Sequence, residues 1–182
     1  ETSEFSSWGV SPDLRLKPEI AAPGGEVFSS IPDGAYEQSS GTSMATPQMA
    51  GVSTIVLQRV QSDPLFASMS ARDKADVVQN LIMGTARPLT DAAQTSGALY
   101  SPRKQGAGLV DALAATTSSV YPTVVGAPEQ SRPKADLGDG TKGWHFDVTL
   151  HNLSGVPATY ELSSQALSEI VDGGFFTQHS SD

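Results

Sequence analysis

The chain contains no cysteine, which excludes a disulfide framework and thiolate chemistry. It is short of bases: 11 Lys and Arg stand against 20 Asp and Glu, for a formal charge of −9. Repulsion at that charge disfavours nucleic acid and anionic membranes as partners. No apolar run reaches the roughly 18 residues that a spanning helix needs. Histidine occurs three times, at His145, His151 and His179, and no asparagine occurs before Asn80. No internal repeat or low-complexity tract is visible. A hydrophobic share of 38% over 182 residues suffices for a globular core in one domain, or one and part of another.

What is present is concentrated at residues 41–51, Gly-Thr-Ser-Met-Ala-Thr-Pro-Gln-Met-Ala-Gly. Gly41 provides a turn, and Thr42 and Ser43 precede apolar residues at helical spacing: Met44, Ala45, Met49, Val52, Ile55, Val56 and Val60. Pro47 lies near the front, where a missing N–H costs little. A serine here sits among unpaired backbone N–H groups at the positive end of a helix dipole. Those donors could stabilise an oxyanion. A helix cap is the plainer use of Ser or Thr at this position. A cap, however, does not require Met44, Pro47 or Gly51.

The whole run resembles the active-site serine segment of the subtilases, the subtilisin-like serine peptidases. The resemblance makes Ser43 the nucleophile, with its own N–H serving the oxyanion and Gly41, Thr42, Met44 and Pro47 supporting the loop. It extends on both sides. Phe5-Ser6-Ser7-Trp8-Gly9 is similar to a strand end and turn of the family. Lys17-Pro18-Glu19-Ile20-Ala21-Ala22-Pro23-Gly24 is similar to the strand and turn before the serine loop. Glu26–Ile31 reads as a strand, Pro32-Asp33-Gly34 as a turn and Tyr36–Ser40 as an extended approach. Ser70 with Asp73 opens a second helix as in a capping box, with Ala75, Val78, Leu81 and Ile82 on its apolar face. Leu81–Ala86 resembles the family's Leu-x-x-Thr-Ala, and Gly106–Ala112 its closing Gly-x-Gly-x-Val-x-Ala. Nucleotide binding by the latter is rejected, because no βαβ unit with a downstream acid follows.

The resemblance covers about residues 1–118. Triad logic requires an acid and a base as well, which the family places upstream of the serine. The forty-two residues before Ser43 hold no histidine, and their aspartates, Asp13 and Asp33, lack the family's setting. The family's oxyanion asparagine is missing too. The expectation is a C-terminal part of a catalytic domain (1–119), inert when isolated, whose partner is the upstream segment carrying Asp and His.

Residues 121–143 read as linker, rich in Pro, Gly and charge. Trp144, Phe146, Val148 and Leu150 then alternate with His145, Asp147, Thr149 and His151, the mark of a half-buried strand. Asn152–Gly155 reads as a turn and Val156–Leu162 as a returning strand, giving a hairpin. This stretch is similar to the fibronectin-III-like domain of cell-envelope subtilases, the lactocepins and C5a-peptidase group of Gram-positive bacteria. Residues 120–182 are thus expected to be linker and the start of an all-β sandwich, too short to complete it. His145 and His151 read as solvent-facing rather than as a metal pair, and Asp136 and Asp139 as an ordinary turn.

The fold expected is α/β, a mostly parallel sheet flanked by helices, followed by the partial β domain. The resemblance implies a secreted or cell-wall-associated serine endopeptidase acting on proteins or peptides through an acyl-enzyme on Ser43. No cofactor is evident in this chain, although the complete enzyme has room for structural calcium. The competing reading is a non-catalytic binding module or pseudopeptidase.

Overall fold

The computed structural model describes residues 1–91, 97–125, 132–135, 137, 143–172 and 175–181. Two compact units account for the chain: residues 1–47, 87–109 and 159–182 form one, and residues 48–86 and 110–158 the other.

In the first unit, β1 (Val27–Ser30) and β2 (Tyr36–Ser39) form an antiparallel hairpin. Pro32–Gly34 turns between them, with Asp33 at φ 66° and Gly34 at φ 71°. Pro fixes one φ of such a turn, and Asp and Gly tolerate the left-handed region. The hairpin leads into α1 (Thr42–Ser62), which continues into the second unit. A short helix, α3 (Pro102–Gln105), starts at Ser101, whose hydroxyl caps the Arg103 N–H. β5 (Ala166–Asp172) and β6 (Phe175–Ser181) pair antiparallel, with His179 opposite Ser168.

Backbone packing at glycine holds this unit together. A Cβ on Gly106, at φ 62°, would lie 2.3 Å from the Glu19 carbonyl carbon. One on Gly108, at φ 123°, would lie 2.4 Å from the Arg87 carbonyl oxygen. Only glycine tolerates both the conformation and the approach. The glycines read in sequence as a turn before a helix therefore let three chain segments lie side by side. Ala21 N–H donates to Gly108, and Leu109 and Arg87 exchange N–H···O bonds. Gln105, buried, accepts from Leu89 N–H through Oε1 and donates through Nε2 to Tyr100 C=O. Outside this backbone framework Trp8 receives the Lys104 ammonium 3.9 Å from its ring centroid.

The apolar core belongs to the second unit. α2 (Ala71–Gly84) buries Val77, Val78, Leu81, Ile82 and Met83. α1 adds Val56 and Val60 and the following turn adds Phe66. Full burial of such a side chain contributes about 1.5–3 kcal/mol. Ile55, expected on the inner face of α1, is 54% exposed. Ser70 caps α2 as expected, its hydroxyl accepting from Asp73 N–H and donating to the Asp73 carboxylate. α4 (Ala112–Thr117) is capped at its start by Asp111. At its other end the Arg59 guanidinium donates to the carbonyls of Ala115 and Ser118, a cation on the negative end of the dipole.

β3 (Val120–Val125) packs on α2, and a Cβ on Gly84 would meet the Pro122 ring at 2.6 Å. This corrects the linker assigned to 121–143, of which residues 121–125 are strand. β3 also corrects the expected hairpin. β4 (Asp147–Asn152) pairs antiparallel with β3, Val120 opposite Asn152 and Val125 opposite Asp147, while 156–162 forms no strand. Five of the six β3 residues are β-branched or aromatic, which makes it the better partner. The expected turn does form: Asn152 Oδ1 accepts from Ser154 N–H and its amide donates to Val156 C=O. Trp144, Phe146, Val148 and Leu150 remain 46–55% exposed.

The expected parallel sheet is reduced, among the described residues, to one parallel bridge between Ala21 and Leu109; the named strands pair two by two and antiparallel. β1 and β2 are joined by a short turn, which serves antiparallel partners, whereas parallel ones need a crossover.

Tyr121 is buried, its ring stacked on His151 at 4.4 Å, and desolvation raises its phenol pKa. Below the ordinary value of about 10 the phenol is neutral in both states and its stabilising contribution is complete. Above it the unfolded state ionises first, and stability is lost as pH rises. Denaturation midpoints measured from pH 9 to 11.5 should therefore fall more steeply for the native sequence than for Tyr121→Phe. Identical slopes would remove Tyr121 from the alkaline transition.

Candidate active site

Ser43 is the second residue of α1 and is exposed. The loop before it is anchored from two sides. Gly41 N–H donates to Gly24 C=O at 2.8 Å, and the Ser40 hydroxyl accepts from Glu26 N–H at 2.8 Å. Gly24 sits so close that a Cβ there would be 2.6 Å from the Gly41 oxygen and 3.2 Å from the Ala45 methyl. The Pro23-Gly24 turn is thus a backstop for the serine loop. Gly41 itself has a nearly extended φ of 159°, and its flank is closed by Met44, whose sulfur lies 3.5 Å from where a Cβ would be.

Met44 N–H closes the first turn onto Gly41 C=O, and the Thr46 hydroxyl donates back to Thr42 C=O. Among the described residues the Ser43 hydroxyl and N–H have no hydrogen-bond partner. Pro47 sits deeper than expected, at the sixth helical residue. There it removes a bond within the ladder, the one to the Ser43 carbonyl, so the backbone of Ser43 is less tied down than that of an ordinary helical residue. The arrangement presents a hydroxyl and a donor N–H at a helix start, with the Thr42 and Met44 side chains flanking it.

His145 is exposed, 3.5 Å from Asp147. His151, expected to face solvent, instead stacks on Tyr121 and shares a 2.8 Å hydrogen bond with Thr123. Both belong to the unit that does not contain Ser43, and the side chain of His179 lies outside the described residues. Asp13 is held by the Ser11 hydroxyl and by Arg15, which keep its carboxyl below the usual range. Asp33 is at the hairpin tip. Asp136 and Asp139 fall outside the described residues. Among those described, no three His, Asp or Glu lie together as metal ligands, and no helix is long and apolar enough to cross a membrane. Gly24 was missed as a site residue by sequence reasoning; its signal was only a glycine pair after proline.

The serine loop is thus braced by the Pro23-Gly24 turn and opens directly into α1. Residues 1–108 match the subtilase family, peptidase S8, and the chain is a member of it. It is 33% identical over 174 residues to the C5a peptidase of Streptococcus pyogenes serotype M1, covering 96% of this chain and 14% of that protein. The PII-type proteinase of Lactococcus lactis subsp. cremoris is 34% identical over 169 residues, 89% of this chain and 9% of that one. The chain thus spans about one seventh or less of these relatives. The solved structure of the prenylagaramide maturation protease PagA overlays with a TM-score of 0.45 at 28% identity, over 63% of this chain and 36% of its own.

Replacing Gly24 with Ala should push the serine loop off its backstop, at a cost of about 1–3 kcal/mol in local strain. Amide hydrogen exchange should then speed up at Gly41–Met44, whereas Gly25→Ala, which meets nothing within 4 Å, leaves it unchanged. Equal exchange in the two variants would show that the turn does not brace the loop.

Proposed function

We propose that this chain supplies the nucleophile of a serine endopeptidase. The observation that carries the reading is Ser43 itself, exposed at the start of α1 with its hydroxyl and N–H unengaged among the described residues. Membership of the subtilase family supports it. In the complete protein a histidine from an upstream segment takes the Ser43 proton, and the oxygen attacks the scissile carbonyl. The Ser43 N–H, helped by the helix dipole, donates to the oxyanion. Collapse of the tetrahedral intermediate expels the amine and leaves an acyl group on Ser43, which water then releases. Gly41, Thr42, Met44 and Pro47 shape the loop, and no cofactor is assigned to this chemistry.

The substrate is a protein or peptide, and the setting is extracellular or at the cell wall of a Gram-positive bacterium. The names of the streptococcal and lactococcal relatives, a peptidase and a proteinase, favour this. Residues 1–119 are the C-terminal part of the catalytic domain, and from 120 onward the chain enters a β module of fibronectin-III type; the antiparallel β3–β4 pair supports this reading. The isolated chain, which has no histidine before Ser43, is inactive on this reading. A pseudopeptidase or non-catalytic binding module is the competing reading, and the residues that stand upstream at the acid and base positions decide between the two.

Fluorophosphonate treatment of the full-length protein, followed by mass spectrometry, tests the assignment. Ser43 should carry the adduct, the isolated chain should not, and Ser43→Ala should lower peptide hydrolysis at least about 10³-fold, to the level of residual binding effects. Hydrolysis retained in Ser43→Ala would sink it.

A further inference from the structure

The hairpin that delivers the chain to Ser43 carries an aromatic face. In its register Phe28 lies opposite Gln38 and Ser30 opposite Tyr36. Side chains alternate along a strand, so Phe28 and Tyr36 are diagonal neighbours on one face. Their rings stack, with centroids 5.6 Å apart and planes 17° from parallel. They are nonetheless 70% and 65% exposed. A stacked pair of this kind is a preformed apolar platform whose own ordering is already complete, so a partner binds without that entropy cost. The hairpin pairs with no third strand among the described residues, which leaves edge N–H and C=O groups for an extended chain. From Gly24 to Gly41 it holds three carboxylates, Glu26, Asp33 and Glu37, and no Lys or Arg.

We propose that the Phe28–Tyr36 face of this hairpin is a secondary contact for a polypeptide substrate, taking an apolar side chain on the two rings from a segment that also carries Lys or Arg. The proposal rests on Ser43 as nucleophile. Covalent continuity sets the reach: Ser43 lies seven positions after Tyr36, at most about 25 Å of extended chain. A substrate strand covers that distance with about seven or eight residues. A long peptide can therefore engage the rings and Ser43 together, and a short one only Ser43. The rings fix the position of the segment. The carboxylates act through their field, raising the encounter rate with a basic segment in a salt-dependent way.

The test uses the full-length protein and two substrates with the same cleavage sequence: a four-residue chromogenic peptide, and a long peptide extended on both sides by alternating Leu and Lys. Phe28→Ser/Tyr36→Ser should raise KM for the long peptide about tenfold, the size of losing an aromatic anchor. Its kcat, the short-peptide kinetics and the Tm should stay unchanged. Phe28→Leu, which keeps an apolar surface, should restore most of the KM. Equal losses on both substrates with a lowered Tm would overturn the proposal, because the rings would then be packing against another part of the protein. Unchanged kinetics on both would overturn it as well. Fluorescence anisotropy of the labelled long peptide on Ser43→Ala protein separates the two ideas. Binding that depends on the rings, together with failure of fluorophosphonate to label Ser43 in the unsubstituted protein, keeps the hairpin contact and removes the nucleophile. Binding indifferent to the rings removes the contact whatever Ser43 does.

Discussion

Where Gly24 receives the N–H of Gly41, two backbones meet with no room for a methyl group between them. That contact fixes where the helix can begin, and with it the position of the hydroxyl two residues on. A hydroxyl at a helix start is chemically useful only if it is held still relative to a substrate, because a misplacement of about 1 Å can cost two orders of magnitude in rate. The same device recurs at Gly106 and Gly108, which draw the segments around Glu19 and Arg87 against one another. Glycine here sets distances between backbones rather than loosening the chain.

The two units are stabilised by different means. The second has an apolar core of valine, leucine, isoleucine and phenylalanine, with Arg59 tying off α4. The first has few buried side chains, Ala98, Tyr100, Ser101 and Gln105 among them, and depends on backbone hydrogen bonds. Segments with little apolar burial open at lower free energy than cores. Ser43 and the aromatic hairpin both belong to the less core-rich unit, so the contacts that hold them are backbone hydrogen bonds and the ring stack rather than an apolar core.

Local chemistry was legible in the sequence. Ser70 as a cap, the Pro32–Gly34 turn, the hairpin strands around it, the helix from Ser43 and the Asn152–Gly155 turn each follow from residues close to one another in the chain. What was not legible was pairing at a distance. Val120–Val125 resembled linker because Pro122 lies in it; its role as partner of β4 depends on a strand more than twenty residues later, and Pro122 is tolerated on such an edge. Pro47 looked harmless near the helix start, but a displacement of one turn makes it cost a ladder bond at Ser43. His151 looked like a solvent-facing residue until Tyr121 arrived on the neighbouring strand. Gly24 and Gly84 lie in segments that resemble the family, but their packing role was not legible, since the need for a missing Cβ shows only when the opposing chain is in place.

The half-exposed row of Trp144, Phe146, Val148 and Leu150 bears on how this chain behaves as a solute. At neutral pH the −9 charge makes copies of this chain repel one another, which opposes contact through the exposed row. Near the isoelectric point, at about 4.6, that mutual repulsion vanishes while the row stays uncovered. Acidification therefore acts on colloidal behaviour through this strand, and a single Lys on it would separate self-association from unfolding when the protein precipitates.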